Sequence, residues 1–495
     1  PPVSRIRLSS TRGRWILAAA VLGSAVPMLT GTVVNVALPA IGEGLAAGTS
    51  ELQWVLNGYL LAVASLILVG GSLGDRFGRR RIFVIGAVAF AATTLVCAVA
   101  PTVEWLVSFR VLQGVSAALL TPGSLSILEA VLHPDDRGRA IGAWSALGGI
   151  AAAVGPVLGG WLVDVGSWRW VFFLTLPPAA GVVFVALRCV PETRDPEQAR
   201  LDFAGAGTAF LGLAGLTWAL VVGPERGFTE PGVLGPGVVG ALLLALFLVI
   251  EARSSEPMVP LRMFADRQFA AANAVTFVIY GALGGVFFLL VVHLQVALGY
   301  RAVTAGASML PVTALMLLLS SAAGDWAQRR GARNPLTLGG VLIAGGMLLM
   351  ARIDPGDGYV EAVLPAVVLF GLGLACTVAP VTSAALAAAD PRRTGVASGI
   401  NNAVSRTAQL IAVAVVPWIA GLQGGEINDA EAMARGFPVA MTTVAGVALA
   451  GALLAFLTVS DRPLGDPERA ERSCRHCAID ATPLRVEQDA AARSM

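Results

Sequence analysis

Gly71-Ser72-Leu73-Gly74-Asp75-Arg76-Phe77-Gly78-Arg79-Arg80-Arg81 separates two apolar runs, Leu52 to Gly70 and Ile82 to Ala100. Each run is long enough to cross a bilayer core of about 30 Å as a helix that satisfies its own backbone hydrogen bonds. A polar turn this short sends the second run back across from the same membrane face. Its one acid, Asp75, stands among four arginines. Two readings fit that cluster: a positive-inside loop with extra charge, or a charged device with a mechanical task.

The rest of the chain is built in the same way. Hydrophobic residues make up 56% of the 495 residues and charged ones 13%, with mean hydropathy +0.75. That is too little charge to coat a soluble protein of this size. All 34 basic residues are arginine, and the formal net charge of +2 gives no reason to expect a nucleic-acid partner. Cys97, Cys189 and Cys376 stand alone in or beside apolar runs and are expected to be free, packed thiols. Cys474-Arg475-His476-Cys477 offers at most three ligands where zinc takes four, so no metal or cofactor is expected. No Ser/His/Asp set is apparent. The glycines around position 71 are followed by arginines rather than by the Lys-Ser/Thr of a phosphate loop, so an enzyme is not expected.

Measured in lengths of about 20 residues, the apolar pattern predicts fourteen spans: 15–38, 52–73, 82–100, 104–131, 140–163, 169–188, 203–222, 233–251, 269–298, 303–323, 336–353, 362–388, 395–421 and 438–460. The run from Trp15 is too long for a signal-peptide core and is read as an uncleaved first helix. With the N-terminus inside, 27 arginines fall in cytoplasmic segments and 5 on the opposite face, while Arg110 and Arg406 lie within spans. That asymmetry places both termini in the cytoplasm and makes the number of spans even; the membrane expected is the cytoplasmic (inner) one. The expected organisation is a cytoplasmic N-terminus (1–14), a six-helix bundle (15–188), a central segment with helices seven and eight (189–268), a second six-helix bundle (269–460) and a charged, disordered tail (461–495).

An internal echo supports two halves. Gly324-Asp325-Trp326-Ala327-Gln328-Arg329-Arg330-Gly331 repeats the Gly71 pattern with Gln328 where Asp75 stands. Pairing the two copies matches the first six spans with the last six, a parallel repeat about an axis along the membrane normal.

The motifs resemble, in order, those of the fourteen-helix drug:proton antiporters of the major facilitator superfamily. Thr32-Val33-Val34-Asn35-Val36-Ala37-Leu38-Pro39 is similar to the first-helix signature, and Gln53-Trp54 through Tyr59-Leu60-Leu61 to the start of the second. Gly71 to Arg81 is a full copy of the loop motif. Arg110-Val111-Leu112-Gln113-Gly114 resembles the fourth-helix motif. Gly155-Pro156-Val157-Leu158-Gly159-Gly160, followed by Ser167-Trp168-Arg169-Trp170, resembles the fifth-helix antiporter motif. Ala397 through Asn401, Asn402 and Arg406 fits the same group.

The resemblance implies an all-α, polytopic membrane protein with two six-helix bundles about a central cavity that opens alternately to either side. It implies export of a lipophilic small molecule, with protons as the driving ion, membrane lipids as neighbours and a monomeric working unit. Gly71, Asp75, Arg76, Gly78, Arg79 and Arg80 would form a latch on the cytoplasmic face, with Asp75 drawn to the start of the thirteenth helix and the arginines bridging acids across the halves. Gly155 and Pro156 would bend the fifth helix, and Gly159 and Gly160 let a neighbour approach closely. At the first-helix position where the resemblance implies an acid, this chain has Thr30, which cannot ionise. Arg110 then needs other partners, such as Thr30, Asn35, Gln113 or an anionic substrate group. Asn57, Asn273, Tyr280, His293, Gln295, Asn402, Arg406 and Gln409 are the remaining polar interruptions, each either cavity lining or interhelical glue. Two rival functions are a proton-independent facilitator or lipid flippase and a non-transporting membrane sensor or scaffold.

Overall fold

The computed structural model of the chain describes residues 6–194, 202–254, 257–389 and 394–463. The Cys474/Cys477 pair and most of the tail expected to be disordered lie outside these residues. No strand occurs among the described residues beyond one isolated bridge between Ile6 and Leu132.

The helices begin where short polar side chains can take up free backbone N–H groups. Ser10 accepts from Gly13 at 3.0 Å, Asp202 from Gly205 at 2.7 Å, Asp266 from Phe269 at 2.8 Å and Asp429 from Ala432 at 2.7 Å. The first bundle holds α1 (Thr11–Leu45), α2 (Thr49–Phe77), α3 (Arg79–Ala98), α4 (Val103–Val131) and α5 (Pro134–Val165). Its sixth rod is broken into α6 (Trp170–Phe173) and α7 (Leu176–Cys189). The break falls just before Pro177 and Pro178, which lack the N–H a continuous helix would need. Next come α8 (Phe203–Arg226) and α9 (Pro231–Arg253).

The second bundle holds α10 (Arg267–Val296), the broken rod α11 (Ala302–Ala307) and α12 (Leu310–Arg330), then α13 (Arg333–Met350), α14 (Leu364–Ala387), α15 (Thr394–Ile419) and α16 (Ala430–Thr458). Twelve helices or rods are long and apolar enough to cross a membrane. The other two, α13 with 18 residues and α15 with 26, occupy the eleventh and thirteenth places that the apolar pattern predicts. Fourteen rods therefore appear among the described residues. Asn401, Asn402, Arg406 and Gln409 lower the apolarity of α15, which packs against α2, α8, α10, α14 and α16.

The two bundles repeat one packing scheme. In the first, α1 packs on α5 and α7, and α4 on α2 and α3. In the second, α10 packs on α15 and α16, and α14 on α12 and α13. The insert joins neither half alone. Its α8 touches both α2 and α15, with Leu213 in one cluster with Leu61 and Leu410, and Trp54 and Trp218 at 6.0 Å between ring centroids. Most of α9 is left uncovered: Leu234, Val238, Val239 and Leu242 are about half exposed or more, as lipid-facing residues would be.

Candidate functional site

The candidate machinery lies at three levels: the arginine-rich turn between α2 and α3, an interior polar layer, and a seam at the arginine-poor end.

At the turn, Gly78 ends α2 with φ +114°, and α3 begins at the next residue. That backbone region is open to glycine at no steric cost. A Cβ there would also lie 2.6 Å from the Glu192 carboxylate. Arg79 pairs with Asp75 at 2.6 Å, and the Arg80 backbone donates to Glu192 at 3.1 Å. The Arg80 guanidinium reaches the Val190 carbonyl at 3.3 Å and Glu192 at 3.7 Å, while Arg76 lies over the Phe77 ring. Among the described residues, these arginines make no ion pair with an acid of the other half. So tight a turn places Arg79 one helical turn from Asp75, and the 190–194 strap, folded across the turn, presents Glu192 to Arg80. Gly71 meets only ordinary packing against Pro122. The close approach is made by Gly70, whose missing side chain admits the Ala118 carbonyl. Position 70 lies outside the motif, and nothing in its local pattern marks this contact.

In the interior layer, Arg110 is 1% exposed. It donates to the Val55 carbonyl at 2.9 Å and to Gln113 at 2.6 Å, and its guanidinium lies 4.4 Å from the Tyr59 ring centroid. Gln113 in turn donates to Thr94 at 2.6 Å, and the Tyr59 hydroxyl to the Pro27 carbonyl at 3.2 Å. A charge buried among apolar helices is tolerable only with such partners. Of those expected, Gln113 is found and Thr30 and Asn35 are not. The Thr30 hydroxyl, buried in α1, turns back to the Val26 carbonyl at 2.9 Å. Asn35 is half-buried on the same face of α1 as Met28 and Thr32 and makes no side-chain hydrogen bond to a described residue.

Asn57 is fully buried with both amide atoms unpartnered. It lies one turn below Gln53, which donates to the Val413 carbonyl at 2.9 Å, and one turn above Leu61. On α15, Asn402 is exposed and bonds only the Ser398 carbonyl of its own helix, at 3.0 Å. Arg406 is half-buried, meets Gln409 at 3.3 Å and lies within electrostatic reach of Tyr59 and Tyr280. Its neighbour Asn401 is the anchored member of the pair, donating to Thr276 at 2.9 Å and to Asn273 at 3.3 Å. His293 is buried and stacked on Phe437 at 3.8 Å, as part of the second bundle's core.

At the arginine-poor end, the Gly155–Gly160 motif works on two sides of α5. Gly155 lies against Thr32 and Gly159 against Val33, both on α1. Gly160 lies against the Ala302 carbonyl of α11, and Gly306 against that of Pro156. One turn beyond Gly160, Asp164 accepts from the backbone N–H groups of Ala302 and Val303 at 3.1 and 3.0 Å, and lies 3.5 Å from Arg301. Gln295 donates to the Val36 carbonyl at 3.0 Å, Thr49 to Gly424 at 2.7 Å and Asn428 to Ala47 at 3.4 Å. All these hydrogen bonds between described residues of the two bundles lie towards that end. Asp164 was not among the residues singled out from the sequence. A lone acid at the end of an apolar helix has no distinguishing local pattern.

The known proteins fit this architecture. The family model for the Major Facilitator Superfamily matches residues 20–413. A probable actinorhodin transporter of Streptomyces coelicolor is 32% identical over 490 residues, covering 94% of this chain and 83% of that protein. A puromycin resistance protein of Streptomyces alboniger is 32% identical over 90% of this chain and 92% of its own. A methylenomycin A resistance protein of Bacillus subtilis is 33% identical over 82% and 87%. Among solved structures, a POT family transporter aligns with TM-score 0.69 at 15% identity over 92% of this chain and 98% of that one. A bacterial Spinster homologue in an inward-facing state aligns with TM-score 0.64 at 16% identity over 91% and 97%. The motifs in order, the paired bundles and these matches agree: this chain belongs to the major facilitator superfamily and is a multi-pass membrane transporter, not an enzyme.

Proposed function

We propose that the protein exports hydrophobic or amphipathic small molecules by alternating access, with its arginine-rich face in the cytoplasm and the single chain as the working unit. The observation that carries this reading is the seam between bundles. The hydrogen bonds joining their described residues gather at the arginine-poor end, so the halves can rock about that end and open at the other. Few charged groups lie at depth in either bundle, so a cavity between them would select by oiliness and shape. The relatives named as drug and antibiotic resistance proteins support a drug or natural-product cargo. The turn at Gly71–Arg81 is positioned to bias the rocking from the cytoplasmic side, and Gly155–Gly160 to hold the outer side shut.

Proton antiport is the coupling that the resemblance of this chain's motifs suggests, with protons entering from outside. Thr30 favours a second reading, transport without proton exchange, because its hydroxyl bonds its own helix and offers no titrating group. Proteoliposomes loaded with lipophilic cations, neutral drugs and labelled lipids, with and without an imposed pH gradient, test both. Movement that follows the gradient supports antiport, and movement indifferent to it supports a facilitator. Binding without any movement would replace export with a sensor.

A further inference from the structure

The charges deep within the bundles have one sign. Every Asp and Glu in a described helix lies within five residues of an end of its rod. Two cations lie deeper: Arg110, seven residues beyond the start of α4, and Arg406, twelve beyond the start of α15. They differ in how well they are satisfied. Arg110 is sealed in, with a carbonyl, an amide and an aromatic face as partners. Arg406 is half-buried, has no carboxylate partner among the described residues, and its side-chain hydrogen bond is a long 3.3 Å contact to Gln409. Around it stand Tyr280 and, one turn away on the same face of α15, the exposed Asn402 amide. A guanidinium cannot shed its proton to relieve its burial, and it has five donors to place.

Resting on the export reading above, we infer that Arg406 is the receptor for an acidic oxygen of the cargo, so that the favoured substrates are amphipathic organic anions: an oily body bearing one carboxylate, phenolate or phosphate. The apolar lining takes the body. Arg406 takes the charge, with Asn402 and Gln409 as secondary hydrogen-bonding groups. Charge-assisted hydrogen bonds to a guanidinium are stronger than neutral ones, and they gain further where water is scarce. The reading also accounts for Thr30. An anion leaving a cell with a negative interior moves down the membrane potential, which by itself sustains an outward gradient of about 50-fold per 100 mV for one charge. No acid on the first helix is then required for uphill export.

The test uses full-length protein in liposomes, with protein-free liposomes as the permeation blank. Three probes share one body: pyrenebutyrate, its methyl ester and the matching pyrene amine. A labelled phosphatidylglycerol forms a separate arm, which decides whether the anion is a free acid or a lipid headgroup. The expected result is acid efflux about 10-fold faster than amine efflux, accelerated by an interior-negative potential, with the ester between them. Arg406→Gln should bring acid and ester rates together by slowing the acid more than the ester, and Arg406→Lys should keep part of the preference. A purely structural role for Arg406 would slow all three probes alike. Preference for the amine, or an acid-to-ester ratio unmoved by Arg406→Gln, overturns the inference while leaving export standing. If none of the probes nor the lipid moves, export itself fails and this inference with it.

Discussion

Asp164, one residue from the end of α5, accepts hydrogen bonds from the first turn of α11, at 3.1 Å from Ala302 and 3.0 Å from Val303. A carboxylate of one bundle thus caps a helix of the other at the arginine-poor end, whereas towards the opposite end the bundles meet through apolar packing, with Leu68 of α2 on Gly399 of α15. Loss of a cap costs about 0.5–2 kcal/mol. Asp164→Ala should therefore shift the population towards an outward-open state by about 2- to 30-fold. Double electron–electron resonance between labels in the 46–48 and 424–426 loops reads the shift, and an unchanged distance distribution would remove Asp164 from the gate.

Two glycines of one motif should give opposite phenotypes. A Cβ at Gly160 meets the Ala302 carbonyl and the Val303 backbone of the other bundle, neither of which can move alone. Gly160→Ala should thus disfavour the outer-closed state, with little effect on melting of the first bundle. A Cβ at Gly155 meets Thr32 and Leu29 within its own bundle. Gly155→Ala should lower thermal stability by about 1–3 kcal/mol, with the conformational balance unchanged. Identical behaviour of the two variants would refute this division of labour.

Arg110 should behave as a keystone of the fold before it behaves as a binding residue. Arg110→Leu leaves the Gln113 side-chain oxygen without its donor in an apolar layer, at about 1–3 kcal/mol, and removes the guanidinium packed on Tyr59. Transport should be lost together with a fall in melting temperature in detergent. Arg110→Leu with wild-type transport and melting would show the network to be dispensable.

Asn57 offers the reverse case. Both of its amide atoms are buried without partners, so replacing it with an apolar side chain of similar volume removes a penalty. Asn57→Leu is expected to raise stability by about 1 kcal/mol in thermal unfolding. If transport falls at the same time, the amide is held in reserve for cargo or for the opposite conformation. A drop in stability would instead mean that the amide is satisfied in this state.

At the arginine-rich turn between α2 and α3, Asp75→Asn removes the carboxylate that pairs with Arg79 while keeping its shape and an oxygen able to accept. Its effect should appear as slower export and a shift towards inward-open. Gly78→Ala should be worse on both counts, because a side chain there is strained at φ +114° and collides with Glu192. Transport assays beside melting curves separate the two outcomes, and an Asp75→Asn variant that exports at the wild-type rate would end the latch interpretation.

Local chemistry made much of the molecule legible. Apolar run length sets out fourteen rods, because backbone inside a bilayer must bond to itself and therefore turns helical wherever the run is long enough. Gly78 was legible as part of the loop motif, and the structure adds that it turns the chain between α2 and α3 at positive φ. Arg110 could be picked out as costly and Gln113 as its partner, three residues on and on the same helical face.

Other features depend on which helices end up side by side. Gly70 matters through the Ala118 carbonyl on α4, Asp164 through the start of α11, and Arg80 through Glu192, 112 residues later. The insert α8–α9 reads as two plain apolar helices, and only packing sets α8 against both bundles. Sequence alone determined the rods, their alternation, the two-fold repeat and the list of costly polar groups, because each follows from hydrophobic length or from residues within one turn of each other. Tertiary structure alone decided which of those groups find partners, since a hydrogen bond between bundles depends on positions that no local periodicity encodes.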